Sequence, residues 1–305
     1  MKSLLLFLAF LFGALFPQAG RFNFLLRYLI ITMVFLSMLQ ARFSRDSFSS
    51  RQIAVFAANI FFGFAWWFPF RLLGDAILAQ AAFFTAITPT AAAAAVVTGM
   101  LGGRIDFTIN TFILTNLGMA MLFPAVIPPI SGRPVPGLFL DVAFNVFLMI
   151  GVPSLLAFCA QKFLPGAVLF GRKHRNLSFY LWIFAIFLII ASAANYIVGQ
   201  WSRIPRSLLL KIALLSLAIC AVNFFCGALL GGKRFRAECS QSLGQKNTTL
   251  TIYLAMLYAT DPVIALAPTC YVVWHNVWNA LQLRLHDRRR DGGCSAPSDA
   301  AGREN

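Results

Sequence analysis

The chain is poor in charge. Only 11% of its 305 residues are Asp, Glu, Lys or Arg, whereas soluble domains contain about 25%. This scarcity excludes a soluble globular protein. The ten acidic residues and three histidines show no metal-ligand or nucleophile spacing, which disfavours an enzyme or a metal centre. The six cysteines are scattered, so no disulfide framework or redox motif is indicated.

Hydrophobic residues make up 59% of the chain, and the mean hydropathy is +0.76. Many apolar runs exceed the length of about 18 residues that a membrane helix needs, and they lack the alternation of barrel strands. We therefore expect an all-α polytopic membrane protein with ten transmembrane helices. No soluble domain fits between the apolar runs.

The net charge of +15 raises the possibility of a nucleic-acid partner. With ten spans, however, most Lys and Arg residues fall on the side of the two termini. The positive-inside rule then places both termini in the cytoplasm. We expect contacts with anionic membrane lipids and no nucleic acid.

Two apolar regions are interrupted. Pro89 lies inside the span 76–101 and is followed by five alanines, so the helix should break there and allow close backbone approach. The second interruption is the polar tract Glu238–Leu250, which contains Lys246. Only ten residues separate Leu250 from Asp261, enough helix for about half of a hydrocarbon core of roughly 30 Å. The alternative is a loop over 233–249 followed by one bent span, Leu250–Leu283.

The interruptions fall in the fourth span of each half of the chain, which indicates two inverted repeats of five spans. The predicted repeats are residues 1–129 and 130–284, followed by a polar cytoplasmic tail over 285–305. Broken helices at matching positions are a sequence signal for the binding site of a transporter, where helix ends face a ligand and its coupling ion.

Two segments resemble the crossing segments of the bile acid/sodium symporter family. They are Thr88-Pro-Thr-Ala-Ala-Ala-Ala-Ala-Val-Val-Thr98, followed by Gly103, and Gly244-Gln-Lys-Asn-Thr-Thr-Leu250. The resemblance implies a panel domain of spans 1, 2, 6 and 7 and a core domain of spans 3–5 and 8–10. It also implies alternating access and an organic anion as substrate. We expect an integral protein of a bacterial inner (plasma) membrane, as a monomer or homodimer.

The family's sodium ligands are altered in this chain. Ala94 and Ala95 replace a serine and an asparagine, Ser242 replaces a glutamate, and Lys246 replaces a glutamine. We therefore predict transport that does not require sodium. Lys246 would serve as a counter-charge for an anionic substrate or as a titrating group for proton coupling, because burial disfavours its charged form. The alternative is that Lys246 extends from a helix end to the cytoplasmic interface.

Candidate residues follow from the polar positions of the spans. The altered sodium-site region comprises Asn59, Thr108, Ser242, Gln245 and Asn247. Candidates for substrate binding or coupling are Thr90, Thr98, Asn110, Thr111, Thr115, Lys246, Thr248, His275 and Asn276. Any of these could instead join helices through hydrogen bonds. A sodium-coupled symporter using Asn59, Thr108 and Asn247 is the alternative transporter, and a channel, a regulatory membrane protein or a membrane enzyme is the alternative of another class. No cofactor is expected.

Overall fold

A computed structural model of the chain describes residues 2–40, 48–132, 137–173, 176–199 and 204–293. The described residues form fourteen α-helices and no strand, so the predicted all-α class is confirmed. The α-helices are α1 (Lys2–Leu15), α2 (Leu25–Gln40), α3 (Ser50–Leu72), α4 (Ala76–Ala86), α5 (Ala93–Met100), α6 (Ile105–Ser131), α7 (Leu138–Val146), α8 (Val152–Phe163), α9 (Pro165–Lys173), α10 (Asn176–Gly199), α11 (Arg206–Gly231), α12 (Arg236–Gly244), α13 (Thr248–Tyr258) and α14 (Leu266–Gly293).

Five helical segments are long and apolar enough to cross a membrane. They are Ser50–Leu72, Ile105–Ser131, Leu138–Phe163, Tyr180–Gly199 and Arg206–Gly231. Shorter apolar helices cover Leu25–Leu39, Ala76–Ala86 and Thr248–Tyr258. The chain is therefore a helical integral membrane protein, as its composition predicts.

Both predicted interruptions are breaks between helices. Residues 87–92 separate α4 from α5, and residues 245–247 separate α12 from α13. The alternative of a loop over 233–249 and one span over Leu250–Leu283 is wrong, because α12 is helical and α13 ends at Tyr258, before the 3-10 turn Pro262–Ala265. Pro262 begins that turn, where its missing N–H is tolerated.

Two boundaries differ from those predicted. The repeat boundary at 129/130 falls inside the last turn of α6, which continues to Ser131 and ends at Gly132 in the left-handed conformation (φ 64°). The predicted tail begins inside α14, which runs on to Gly293 because no Gly or Pro lies between Pro268 in its first turn and Gly292. Residues 294–305 lie outside the described residues.

The apolar segment Leu138–Phe163 contains a π-helical turn, Phe147–Gly151, between α7 and α8. In this turn the N–H of Val152 donates to the carbonyl of Phe147. Pro153 follows directly and has no N–H to donate to Met149, which favours a widened turn at this point.

The helices pack mainly within two groups. In the first group, α1 packs on α10, α2 packs on α8 and α10, and α7 continues through the π-helical turn into α8. In the second group, α3 packs on α4 and α6, α11 packs on α12 and α14, and α5 packs on α6 and α12. The two groups meet where α13 contacts α2 and α10 and where α6 contacts α7. Both helix breaks therefore lie in the second group.

Candidate functional site

The two helix breaks lie against each other and satisfy each other's backbone. The N–H of Ala91 donates to the carbonyl of Gln245 at 2.8 Å, and the N–H of Asn247 donates to the carbonyl of Pro89 at 2.7 Å. These bonds form an isolated antiparallel bridge between Thr90 and Lys246. The small alanines after Pro89 permit this close approach. Non-helical backbone is thus paired inside the protein, which is the condition for tolerating it at membrane depth.

A side chain from each break also bonds to a backbone carbonyl of the other broken helix. In an unbroken helix the carbonyl of Ala86 would accept from the N–H of Thr90, and that of Ser242 from the N–H of Lys246. Instead, Lys246 Nζ donates to the carbonyl of Ala86 at 3.0 Å, and Thr90 Oγ1 donates to the carbonyl of Ser242 at 2.6 Å. Each break therefore supplies the side chain that satisfies the last turn of the other broken helix.

Lys246 is buried, with 1% of its surface exposed. Its ammonium also donates to Asn59 Oδ1 on α3, and no Asp or Glu among the described residues forms an ion pair with it. The carbonyl of Ala86 lies at the C-terminal end of α4, where the helix dipole is negative. The alternative that Lys246 extends to the interface is therefore wrong. Its charge is held by neutral oxygens, which are ligands that a bound cation would also use.

Side chains of helix α6 form hydrogen bonds to both breaks. The N–H of Thr90 donates to Thr115 Oγ1 at 3.2 Å, and Asn116 Nδ2 donates to the carbonyl of Thr90 at 2.9 Å. Asn116 Oδ1 also accepts from Asn247 Nδ2 at 3.3 Å. Thr115 and Asn247 were predicted as candidates, whereas Asn116 was not. The available signal for Asn116 was its place beside Thr115 in a span with many polar residues.

Tyr271 is a second site residue that the sequence did not identify. Its hydroxyl donates to the carbonyl of Gly244 at 2.8 Å and accepts from Asn223 Nδ2 at 3.3 Å. In an unbroken helix the N–H of Thr248 would fill the role of this hydroxyl, but that N–H donates to the carbonyl of Lys246 at 2.8 Å. A tyrosine in an apolar span carries no sequence signal for such a contact.

Thr98 and Thr108 form a separate polar pair. Their hydroxyls are hydrogen-bonded at 3.1 Å. Gly103 lies beside this pair, since a Cβ there would be 2.8 Å from Thr98 Cγ2 and 3.2 Å from Glu238 Oε1. The buried Glu238 accepts from the N–H of Arg104 at 2.8 Å. Thr108, Asn59 and Asn247 thus each hydrogen-bond to a different partner.

Some predicted candidates make only local contacts. Thr111 donates to the carbonyl of Phe107 at 2.9 Å, and Asn276 Nδ2 donates to the carbonyl of Val272 at 2.7 Å. Both bonds lie within one helix, so these side chains do not join the breaks. Asn110 is buried in α6, with 2% of its surface exposed.

The remaining candidates lie close to the second break. Gln245 contributes its carbonyl to the bridge, and the buried Thr248 begins α13. Ser242 Oγ and His275 Nδ1 are buried without a hydrogen-bond partner among the described residues. His275 packs edge-on against Tyr271, with ring centroids 5.6 Å apart.

No family model matches the chain, and no curated protein matches it. The function of the chain is therefore inferred from the geometry of the two breaks and the residues around them.

The threonine that joins the breaks should matter more for stability than a threonine that does not. We expect Thr90→Val to lower the free energy of unfolding by about 1–3 kcal/mol, because the buried carbonyl of Ser242 loses its donor. Thr111→Val is the matched control, since Thr111 is equally buried but bonds within its own helix. Melting curves of the two purified variants check the prediction. Equal losses of stability in the two variants would show that the hydrogen bond between the breaks stabilises the protein no more than one within a helix.

Proposed function

We propose that the chain is a secondary active transporter that moves a small organic solute by alternating access and does not require sodium. The observation that carries this proposal is the position of the Lys246 ammonium, between the carbonyl of Ala86 and Asn59 Oδ1 at two paired helix breaks. In transporters, unwound backbone and the C-terminal ends of half-helices provide the oxygens that hold a coupling cation. Here an ammonium fixed to the chain would take the place of that cation.

Each half of the proposed transporter would contribute one break to the site. Ala86 lies four residues before Thr90, and Ser242 lies four residues before Lys246. The exchange of Lys246 and Thr90 across these positions is what a two-fold axis in the membrane plane would produce. We therefore propose two inverted repeats of five crossings, in which α4 with α5 and α12 with α13 are the discontinuous helices.

The two packing groups would be the moving parts. The group containing α1, α2, α7, α8 and α10 corresponds to the proposed panel, and the group containing the breaks corresponds to the proposed core. A cavity of about 240 Å³ lies between them, and its lining includes Asn23 and Tyr196 on one side and Met256 and Thr269 on the other. Movement of the core against the panel would open and close this interface.

We infer that the substrate is an organic anion. Lys246 is the buried positive charge at the breaks, and it would act as a counter-charge for the substrate or exchange a proton during transport. The resemblance to the bile acid/sodium symporter family agrees with a small-molecule substrate. The proposed setting is a bacterial inner membrane with both termini cytoplasmic, and the protein would act as a monomer or homodimer.

A membrane enzyme is the less favoured alternative, because the acidic side chains have separate structural partners. Asp106 pairs with Arg104, Asp261 accepts from Tyr196, and Glu238 accepts from a backbone N–H. Among the described residues no group of three or more His, Cys, Asp or Glu could hold a metal ion. No catalytic set is proposed.

The proposed function is tested with purified protein in two steps. A thermal-shift screen against organic acids, in sodium and in choline buffer, identifies a ligand. Counterflow of that ligand in liposomes then separates a carrier, which shows saturable exchange, from a channel. We expect a stabilising organic anion and exchange at equal rates in the two buffers. Strict sodium dependence of binding or exchange would contradict the proposal.

Polar contacts hold the end of α13 to the proposed panel, and removing them should open the interface. Tyr196 donates to Asp261 Oδ1 at 2.8 Å, and Asn145 Nδ2 donates to the Tyr258 hydroxyl at 3.0 Å. We expect the double variant Tyr196→Phe, Tyr258→Phe to speed thiol labelling of a cysteine placed at Met256, which lines the cavity. Labelling is measured in membranes with an impermeant reagent, and protein without the added cysteine gives the background.

Tyr253→Phe, on the same helix α13, is the control for the loss of a hydroxyl. It should leave the labelling rate at Met256→Cys unchanged. If the double variant labels no faster than this control, the tyrosine contacts do not hold the interface closed.

A further inference from the structure

Helix α14 carries a stripe of polar side chains along one face. Tyr271, His275, Asn279 and Gln282 follow one another at intervals of four, four and three residues, which places them on one face of the helix. Helix α14 packs on α11, and side chains of this face bond to residues of α11 and α12. Asn223 of α11 bonds to Tyr271, and Gln241 of α12 bonds to Gln282 at 2.6 Å.

The stripe is buried but its hydrogen-bonding capacity is not filled by the protein. Four buried atoms along it have no partner among the described residues: His275 Nδ1, Asn279 Oδ1, Asn223 Oδ1 and Gln241 Oε1. Leaving one buried polar group unsatisfied costs about 1–3 kcal/mol. These four groups, on the helices α11, α12 and α14, are therefore expected to be satisfied by internal water, which typically bridges groups of this kind.

The two ends of the stripe lie in different surroundings. At the inner end, Tyr271 donates to the carbonyl of Gly244, two residues before Lys246. Cys220 is a buried thiol of α11, the helix that also carries Asn223. At the outer end, Gln282 is partly exposed and is followed by the exposed Arg284. The stripe thus extends from the vicinity of Lys246 to the surface.

We propose that this stripe is a hydrated path along which protons pass between Lys246 and the surface near Gln282. In the outward direction, the Lys246 ammonium gives one proton to a water molecule and becomes a neutral amine, and the reverse step restores the charge. This path rests on the proposed function, in which Lys246 exchanges a proton during transport. The path would carry that proton to and from the surface. The titratable groups along the path are Cys220, Tyr271 and His275, whereas Glu238 is bonded to the backbone of Arg104.

The test measures proton exchange at Lys246 directly. Protein labelled with 15N at the lysine Nζ is transferred to D2O, and the isotope shift of the Lys246 resonance is followed by 15N NMR. The resonance is assigned by its loss in Lys246→Gln. We expect deuterium to replace the protons before the first spectrum in the wild type, and much later in Asn279→Leu, which makes the middle of the path apolar.

Asn276→Leu is the matched control, because Asn276 is on the same helix and bonds only to the carbonyl of Val272. It should exchange at the wild-type rate. Slow exchange in the wild type, or equal exchange in Asn279→Leu and Asn276→Leu, would overturn the path.

Hydroxyl-radical footprinting of the wild type keeps the proposal testable if Asn279→Leu does not fold. We expect His275 to be oxidised although only 5% of its surface is exposed, while the fully buried Met119 and Met149 stay unmodified. An unmodified His275 would show a dry stripe and overturn the path. Neither measurement uses a substrate or sodium, so a dry stripe leaves the proposed transport standing. Sodium-dependent counterflow would contradict the proposed function whatever the exchange rate.

Discussion

Lys246→Gln should melt at a lower temperature than the wild type in choline buffer and recover much of the loss in sodium buffer. The substitution removes the donor to the carbonyl of Ala86 and leaves Asn59 Oδ1 without its ammonium partner. Each buried acceptor without a donor costs about 1–3 kcal/mol. A sodium ion could then bind the two oxygens together with the new glutamine amide, as coupling ions bind at broken helices. The wild type should melt at the same temperature in both buffers.

Two control variants separate the loss of charge from the gain of a cation site. Lys246→Met removes the ammonium without adding an oxygen, so its stability should fall and sodium should restore little of it. Lys211→Gln changes an exposed lysine on α11 and should melt like the wild type in either buffer. Stabilisation of the wild type itself by sodium would contradict the idea that Lys246 replaces the ion. A Lys246→Gln variant as stable as the wild type in choline would contradict it equally.

The positions of both helix breaks could be predicted from the sequence because each has a local cause. Pro89 cannot donate a helical hydrogen bond, and the ten residues between Leu250 and Asp261 are too few for a full crossing. Length, composition and proline position therefore determine where the helices stop. The same local rules explain why α3 begins after Ser49, whose side chain caps it together with Gln52.

The partners of the site could not be predicted, because they depend on how distant helices pack. A lone amide such as Asn59 is expected to bond to a neighbouring helix more often than to hold a cation, but its sequence position does not identify Lys246 as the partner. Asn116 and Tyr271 satisfy backbone groups that exist only because the helices are broken. Sequence spacing identifies which residues share one helix face, but not which carbonyl on another helix they meet.

Gly227→Ala should destabilise the protein strongly, although alanine is the better helix former by about 1 kcal/mol. A Cβ at Gly227 of α11 would lie 2.5 Å from the carbonyl oxygen of Cys239 and 2.8 Å from Cα of Ser240. These are backbone atoms of α12, so α12 itself would have to move. Overpacking of this kind costs about 1–3 kcal/mol or more. Displacement of α12 would also disturb the bond between Thr90 and the carbonyl of Ser242.

Gly166→Ala is the matched control, because Gly166 is also helical and a Cβ there meets nothing within 4 Å. Without a clash, helix propensity decides the sign, and this variant should be as stable as the wild type or slightly more so. Ser240→Ala removes the hydrogen bond to the carbonyl of Phe224 and the longer one from Gln282 Nε2, without a backbone clash, and should cost less than Gly227→Ala. Melting curves compare the stability of the three variants, and size-exclusion elution profiles show whether each variant remains monodisperse. If Gly227→Ala melts at no lower a temperature than Gly166→Ala, α12 can shift without cost. Close packing against α11 would then not fix the position of the second break.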